Sequence, residues 1–185
     1  MSYQYQHGLV VMRAQPLHIG HERVLRDMLE KCARVTVILG SIQEQGTARN
    51  PFTYLTRKQM ILNIFQNETA RLKVMGLFDI NNPTQWSDFV LDFMRENMPE
   101  WGTPDVYYAG SPYDAQWFTP CFEHIECIDR TNPDFPYVSG SMVRDMMTIG
   151  DRRWKNFVHP LNHHFIEEYL SLSLIHISEP TRHLR

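Results

Sequence analysis

Apolar residues along the chain fall into two patterns. Five short runs read as strands: LVVM (residues 9–12), VTVIL (35–39), LKVMGL (72–77), VYYAG (106–110) and HIECI (124–128). VTVIL is β-branched and continuous, as a strand buried on both faces should be. Between the runs, apolar positions recur at helical spacing. Val24, Leu25, Met28, Leu29 and Cys32 mark a helix over residues 20–32. Thr56 is the expected N-cap of a second helix carrying Met60, Ile61, Ile64 and Phe65. A third helix is expected over residues 85–97, after the turn at Asn81, Asn82 and Pro83, and a short one over 113–118. Ser141 is expected to open another that stops at Gly150, a good C′ residue, and a last helix covers 161–170.

Strand and helix thus alternate about five times. The expected fold class is α/β: a Rossmann-like, doubly wound, parallel five-stranded sheet with helices on both faces. Such sheets bind ligands beyond the carboxyl ends of their strands, near the topological switch point. The segments to inspect are therefore residues 13–21, 40–51, 79–86, 110–113 and 139–144.

Composition narrows the class. The 185 residues carry a formal net charge of −3, with 43% hydrophobic and 12% aromatic residues. That argues for one packed domain and against disorder. No run approaches the roughly 20 apolar residues of a membrane helix, so no membrane partner is expected. The first residues, MSYQYQHG, show no secretory pattern. Three cysteines (Cys32, Cys121, Cys127) are too few for a disulfide framework, and a reducing, cytoplasmic location is expected. A slightly acidic balance argues against nucleic acid as a partner. Cys121, His124 and Cys127 have a metal-like look, but C-x2-H-x2-C spacing does not make a structural zinc site, and no metal-ligating residue is assigned. The stretch LSLIHISEPTR (residues 172–182) is similar to the translation of a sequencing-library adapter. The expected domain is therefore 1–171, with 172–185 a non-native tail.

The strand ends carry the chemistry. The first lacks both G-x-G-x-x-G and G-x-x-x-x-G-K-[ST], which excludes an ordinary dinucleotide fold and a P-loop. MRAQPLHIGH (residues 12–21) stands there instead. His18 and His21, three apart, share one side of a first helical turn. The amides and dipole of that turn favour an anion, and Gly20 removes a Cβ where a phosphate would approach. SGSMVR (residues 139–144) puts Ser139, Gly140 and Ser141 at a second helix start, with Arg144 able to reach back over them. Arg49 lies in the loop after the second strand.

Taken together, these motifs resemble the HIGH-motif nucleotidyltransferases, and more narrowly the archaeal-type nicotinamide-nucleotide adenylyltransferases. That family carries GRFQPFHxGH, GSAQ…NPFT..ER, a Trp after a D-I turn, SGNP and YSGTxxRRRM. This chain shows MRAQPLHIGH, GSIQ…NPFTYLTRKQMI, FDINNPTQW, AGSP and VSGSMVRDMM in the same order, across residues 8–169. It departs at Met12 (family Gly), Ala14, Leu17, Pro83 and Ser111; a Cβ at Met12 is expected to crowd the nucleotide or shift its loop.

The resemblance implies adenylyl transfer from ATP to nicotinamide mononucleotide, giving NAD and pyrophosphate. It implies that Arg13, His18, His21 and Arg144 grip the triphosphate, with Gly20, Arg49, Gly110, Ser139, Gly140 and Ser141 also on ATP. Gly40, Ser41, Asp79 and Trp86 would meet the acceptor, Trp86 stacking on the nicotinamide ring. Mg²⁺ would be held mainly by substrate phosphates and water. The implied partners are ATP and nicotinamide mononucleotide, with a second copy of the chain or a domain downstream of Ser171 as further candidates. Two rival readings stand: transfer to another phosphate acceptor, such as phosphopantetheine or a flavin mononucleotide, and a nucleotide-binding regulatory module without turnover. All of them rest on cationic side chains and bare amides from separate segments meeting at one polyphosphate pocket.

Overall fold

The structure, a computed structural model, describes residues 2–178, with side chains through residue 174. Five parallel strands form one sheet: β1 Tyr5–Met12, β2 Cys32–Leu39, β3 Leu72–Gly76, β4 Val106–Ala109 and β5 His124–Cys127, in the order β3-β2-β1-β4-β5. The chain winds outward one way from β1 to β3, then returns to the other side of β1. The switch point therefore lies between β1 and β4, where a crevice opens at the carboxyl ends. The α/β, doubly wound architecture expected from the pattern is the one observed.

Strand alternation divides the apolar residues between two cores. Val10, Met12, Val35, Val37 and Leu39 face one side, against Val24, Leu25 and Met28 of α1 (Ile19–Lys31), Met60 and Ile61 of α2 (Tyr54–Ile64), and Val143 and Met147 of a later helix (Gly140–Thr148). Leu9, Ile38, Tyr107 and Ala109 face the other, against Val90, Leu91 and Met94 of α3 (Pro83–Asn97) and Phe118 of α4 (Pro112–Phe118). The Gly140–Thr148 helix is α5, and α6 spans His163–Ser178. Among the described residues no helix is long and apolar enough to cross a membrane.

Two expected helix starts move. Thr53, not Thr56, caps α2: its hydroxyl accepts from the Thr56 amide at 3.2 Å. The first hydroxyl residue after Pro51 takes the cap, so Thr56 becomes part of the first turn. Likewise Ser139, not Ser141, caps α5, accepting from the Met142 amide at 3.1 Å. Gly150 does adopt φ 72°, the left-handed turn expected past that helix. Residues 160–162 form a separate 3-10 turn, and α6 runs on past residue 171. Residues 172–178 of the expected tail thus continue a helix; residues 179–185 lie outside the described residues.

Candidate active site

His18 and His21 are folded around each other by the backbone that carries them. His18 is the N-cap of α1, in an extended conformation, and its Nδ1 accepts from the amides of Gly20 (3.1 Å) and His21 (3.4 Å). His21 Nδ1 in turn accepts from the His18 amide at 3.2 Å. The pair is a capping box built from two imidazoles, their rings stacked with centroids 3.8 Å apart. The arrangement fixes the tautomers. With both Nδ1 atoms accepting, the proton of each neutral ring sits on Nε2, free to donate. Burial, followed by the charges of Arg130 and Arg144, pushes His18 down to about 4. Burial, the His18 ring and Arg130 hold His21 well below the usual imidazole range. Both rings are therefore neutral donors near pH 7, not cations, and the amides of Gly20 and His21 are capped rather than bare. That corrects two parts of the sequence reading.

Gly20 has a different immediate reason from the one expected. A Cβ there would meet His18 Cε1 at 2.9 Å and Val138 Cγ1 at 3.1 Å. The missing side chain lets the imidazole lie against the helix start.

Arg144 reaches back as expected. Its Nη1 donates to the Gln15 carbonyl at 2.8 Å and its Nη2 to Ser141 Oγ at 3.2 Å. Arg13, Gln15, His18, His21, Arg130, Ser139, Gly140, Ser141 and Arg144 line one cationic hollow of about 200 Å³. Ser139 Oγ is spent on its cap, while the Gly140 and Ser141 amides at the start of α5 have no hydrogen-bond partner among the described residues.

Two further spaces adjoin it. An apolar hollow of about 200 Å³ is walled by Val10, Val24, Gly110, Ile128, Phe135 and Val138, together with Gly20 and the histidines. An open cleft of about 410 Å³ is lined by Arg13, Gly40, Ser41, Arg49, Asp79 and Trp86. Among the described residues, Arg13 alone borders all three spaces. Its Nη2 donates to Asn50 Oδ1 at 2.5 Å, and Asn50 in turn bonds Glu44. Its Nε is buried with no partner among the described residues. Burial, then repulsion from Arg49 and Arg144, pushes the Arg13 guanidinium down from its ordinary value. An anion placed among these cations would relieve their mutual repulsion.

The remaining expected residues are sorted by these spaces. Arg49 lines the open cleft rather than the hollow of Arg144. Asp79 accepts from the Ser41 amide (3.2 Å) and hydroxyl, holding Ser41 at φ 51°. Trp86 makes a tilted ring contact with Phe89 (centroids 6.0 Å apart), is partly buried against the core formed with α3 and α4, and borders the cleft. Met12 is buried, packs into the core below the site and borders two of the spaces without closing them.

Three residues escaped the sequence reading. Arg130 lines both hollows. Asp114, held by Tyr107 Oη and the Gly110 amide, borders the cleft. Arg57 is fully buried and donates to the carbonyls of Arg13 (2.8 Å) and Gly40 (2.9 Å), tying the loops after β1 and β2 together. Arg57 stands in NPFTYLTRKQMI, at the Arg of the matched NPFT..ER, so that motif was the signal available for it.

A family model described as cytidylyltransferase-like matches residues 11–180. The chain belongs to the cytidylyltransferase-like family. Within it, the chain is similar to the nicotinamide-nucleotide adenylyltransferase of Saccharolobus solfataricus, 34% identical over 82% of this chain and 84% of the relative. It is also similar to the enzyme of that name from Methanospirillum hungatei, 28% identical over 91% of both. Among solved structures it is similar to a bifunctional NMN adenylyltransferase/ADP ribose pyrophosphatase of Francisella tularensis, complexed with AMP and a Mn ion (TM-score 0.66, 17% identity, 95% of this chain). The chain spans 57% of that protein's length. It is similar too to the Plasmodium falciparum nicotinic acid mononucleotide adenylyltransferase complexed with NaAD (TM-score 0.56, 15% identity, 89% of this chain and 95% of that one). At these identities the structural likeness is one of fold.

Proposed function

We propose that this cytidylyltransferase-like protein transfers the adenylyl group of ATP to nicotinamide mononucleotide, forming NAD and pyrophosphate. The observation that carries it is the meeting of three spaces at Arg13. The apolar hollow suits adenine. The cationic hollow suits the triphosphate. The open cleft, with Trp86 and Asp79, suits a second nucleotide whose cationic ring is drawn to an indole face.

In this reading a phosphate oxygen of the acceptor attacks the α-phosphorus. The new P–O bond forms as the bond to the bridging oxygen breaks, and the electron pair leaves with pyrophosphate. The attacking oxygen is already anionic, so no general base is required. The protein positions the two substrates and stabilises charge. His18 and His21 donate from Nε2, Arg13 supplies its positive charge where the three spaces meet, and Arg144 with the uncapped amides of α5 holds the departing end. Gly40 and Ser41, fixed by Asp79 and Arg57, shape the acceptor's side.

Among the described residues no three His, Cys, Asp or Glu side chains gather as a metal cage. Asp79 is engaged by Ser41, and Asp114 by Tyr107 and Gly110. Such a site fits Mg²⁺ carried in on phosphate oxygens and water, where it would offset their charge. The thiols Cys32, Cys121 and Cys127 are free, which suits the reducing cytoplasm.

The test is an acceptor screen with ATP and Mg²⁺, reading NAD and pyrophosphate. Turnover with nicotinamide mononucleotide, and none with phosphopantetheine or flavin mononucleotide, is expected. Turnover only with another acceptor, or ATP binding without pyrophosphate from any, would overturn the reading.

A further inference from the structure

Arg130 sits in the loop between β5 and α5, outside every motif the sequence offered. Its guanidinium makes no hydrogen bond and no ion pair among the described residues. The acid beside it in sequence is already engaged: Asp129 accepts from the Thr131 amide (2.9 Å) and hydroxyl (2.6 Å). The guanidinium passes over the end of β4, where a Cβ built on Gly110 would come 3.4 Å from its Nη2.

Its location is more informative than its isolation. The apolar and cationic hollows share four lining residues: Arg13, His18, His21 and Arg130. If the first hollow holds a nucleoside and the second a polyphosphate, the group at their junction is the α-phosphate. That is also the phosphorus under attack. Two of the four junction residues are neutral imidazoles, which donate hydrogen bonds but bring no charge. Arg144 borders only the cationic hollow and is tied to Gln15 and Ser141. Positive charge at the junction therefore comes from Arg13, on the β1 loop, and from Arg130, on a separate loop.

We propose that Arg130 is a catalytic residue that contacts the α-phosphate of ATP and stabilises the charge built up there during transfer. The inference rests on the adenylyl-transfer reading above. Arg130 moves no proton and forms no bond; the electron pair leaves with pyrophosphate. The depressed imidazoles agree with this placement, since the Arg130 charge reaches both rings. An exposed loop side chain, it carries little of the fold.

The experiment compares wild type, Arg130→Ala and Arg130→Lys in steady-state NAD formation, with ATP binding measured by calorimetry and folding by thermal melting. Arg130→Ala should lower kcat by about 10²-fold, the size expected for one preorganised contact to developing charge. ATP affinity should weaken less than about tenfold, Lys should restore part of the rate, and the melting temperature should not move. A kcat within about threefold of an active wild type would overturn the inference and leave the adenylyl-transfer reading standing. So would a loss confined to ATP affinity with kcat intact. A wild type that makes no NAD would overturn the reading on which it rests.

Discussion

The guanidinium of Arg144 donates to the backbone carbonyl of Gln15 at 2.8 Å, across 129 residues of sequence. The start of α5 is thereby clasped to the loop that carries Arg13 and His18. Two motifs at opposite ends of the chain become one wall. Arg144→Ala should remove both the clasp and a charge facing the phosphates. Steady-state assays should show kcat/KM lowered by about 10²–10³-fold. Ser141→Ala, which frees one guanidinium nitrogen, should cost under tenfold. Equal losses in the two variants would argue against a direct phosphate role for Arg144.

The buried His18 makes stability depend on pH. Its native value is pushed down to about 4, while an unfolded histidine stays near 6.5. Between those values the unfolded chain binds more protons than the native one. Stability is therefore fully present above about 6.5 and is lost as pH falls toward 4. The loss should total about 3 kcal/mol. Urea unfolding of wild type and His18→Asn at pH 7.5, 5.5 and 4.5 checks this, since Asn can still cap α1 but does not titrate. The variant should show a shallower pH dependence; parallel curves would contradict the assignment.

Trp86→Ala should raise KM for nicotinamide mononucleotide about tenfold and leave KM for ATP within about twofold. A cation over an indole face is worth about 0.5 to 2 kcal/mol. Trp86→Phe should retain part of the effect and keep the contact with Phe89. Initial rates at varied concentrations of each substrate separate the two constants. A rise in KM for ATP alone would remove Trp86 from the acceptor side.

Gly20→Ala should act through His18. The new methyl would stand 2.9 Å from the imidazole and must displace it. The expected outcome is a loss of at least about tenfold in kcat, with a fall in melting temperature from the disturbed cap. Full activity would mean that the ring position does not matter.

The central strands β1, β2 and β4 are legible because they are mostly buried on both faces. Runs such as Val35 to Leu39 have no polar alternation to confuse them, and helical spacing separates Val24–Leu25 from Met28–Leu29. The helix starts were less legible. Thr53 and Thr56 are both good caps, as are Ser139 and Ser141, and only three-dimensional context chooses between them. The same holds at the site. HIGH and SGSMVR gave His18, His21 and Arg144, because residue types and spacing define a helix start. Their charge state was not legible, since it comes from burial and from cations brought in by other loops. Arg130 and Asp114 had no spacing signature at all. The place of Asp114 is set by the first turn of α4, just past β4, and that of Arg130 by the loop after β5, both beside the switch point.

In the proposed function, separate segments of the chain converge on one polyphosphate pocket that drives transfer. Pyrophosphate release from ATP and nicotinamide mononucleotide, measured side by side for wild type and His21→Ala, tests it most directly. The account predicts an active wild type and a variant slower by at least about 10²-fold while still folded. An unchanged rate in the variant would contradict it.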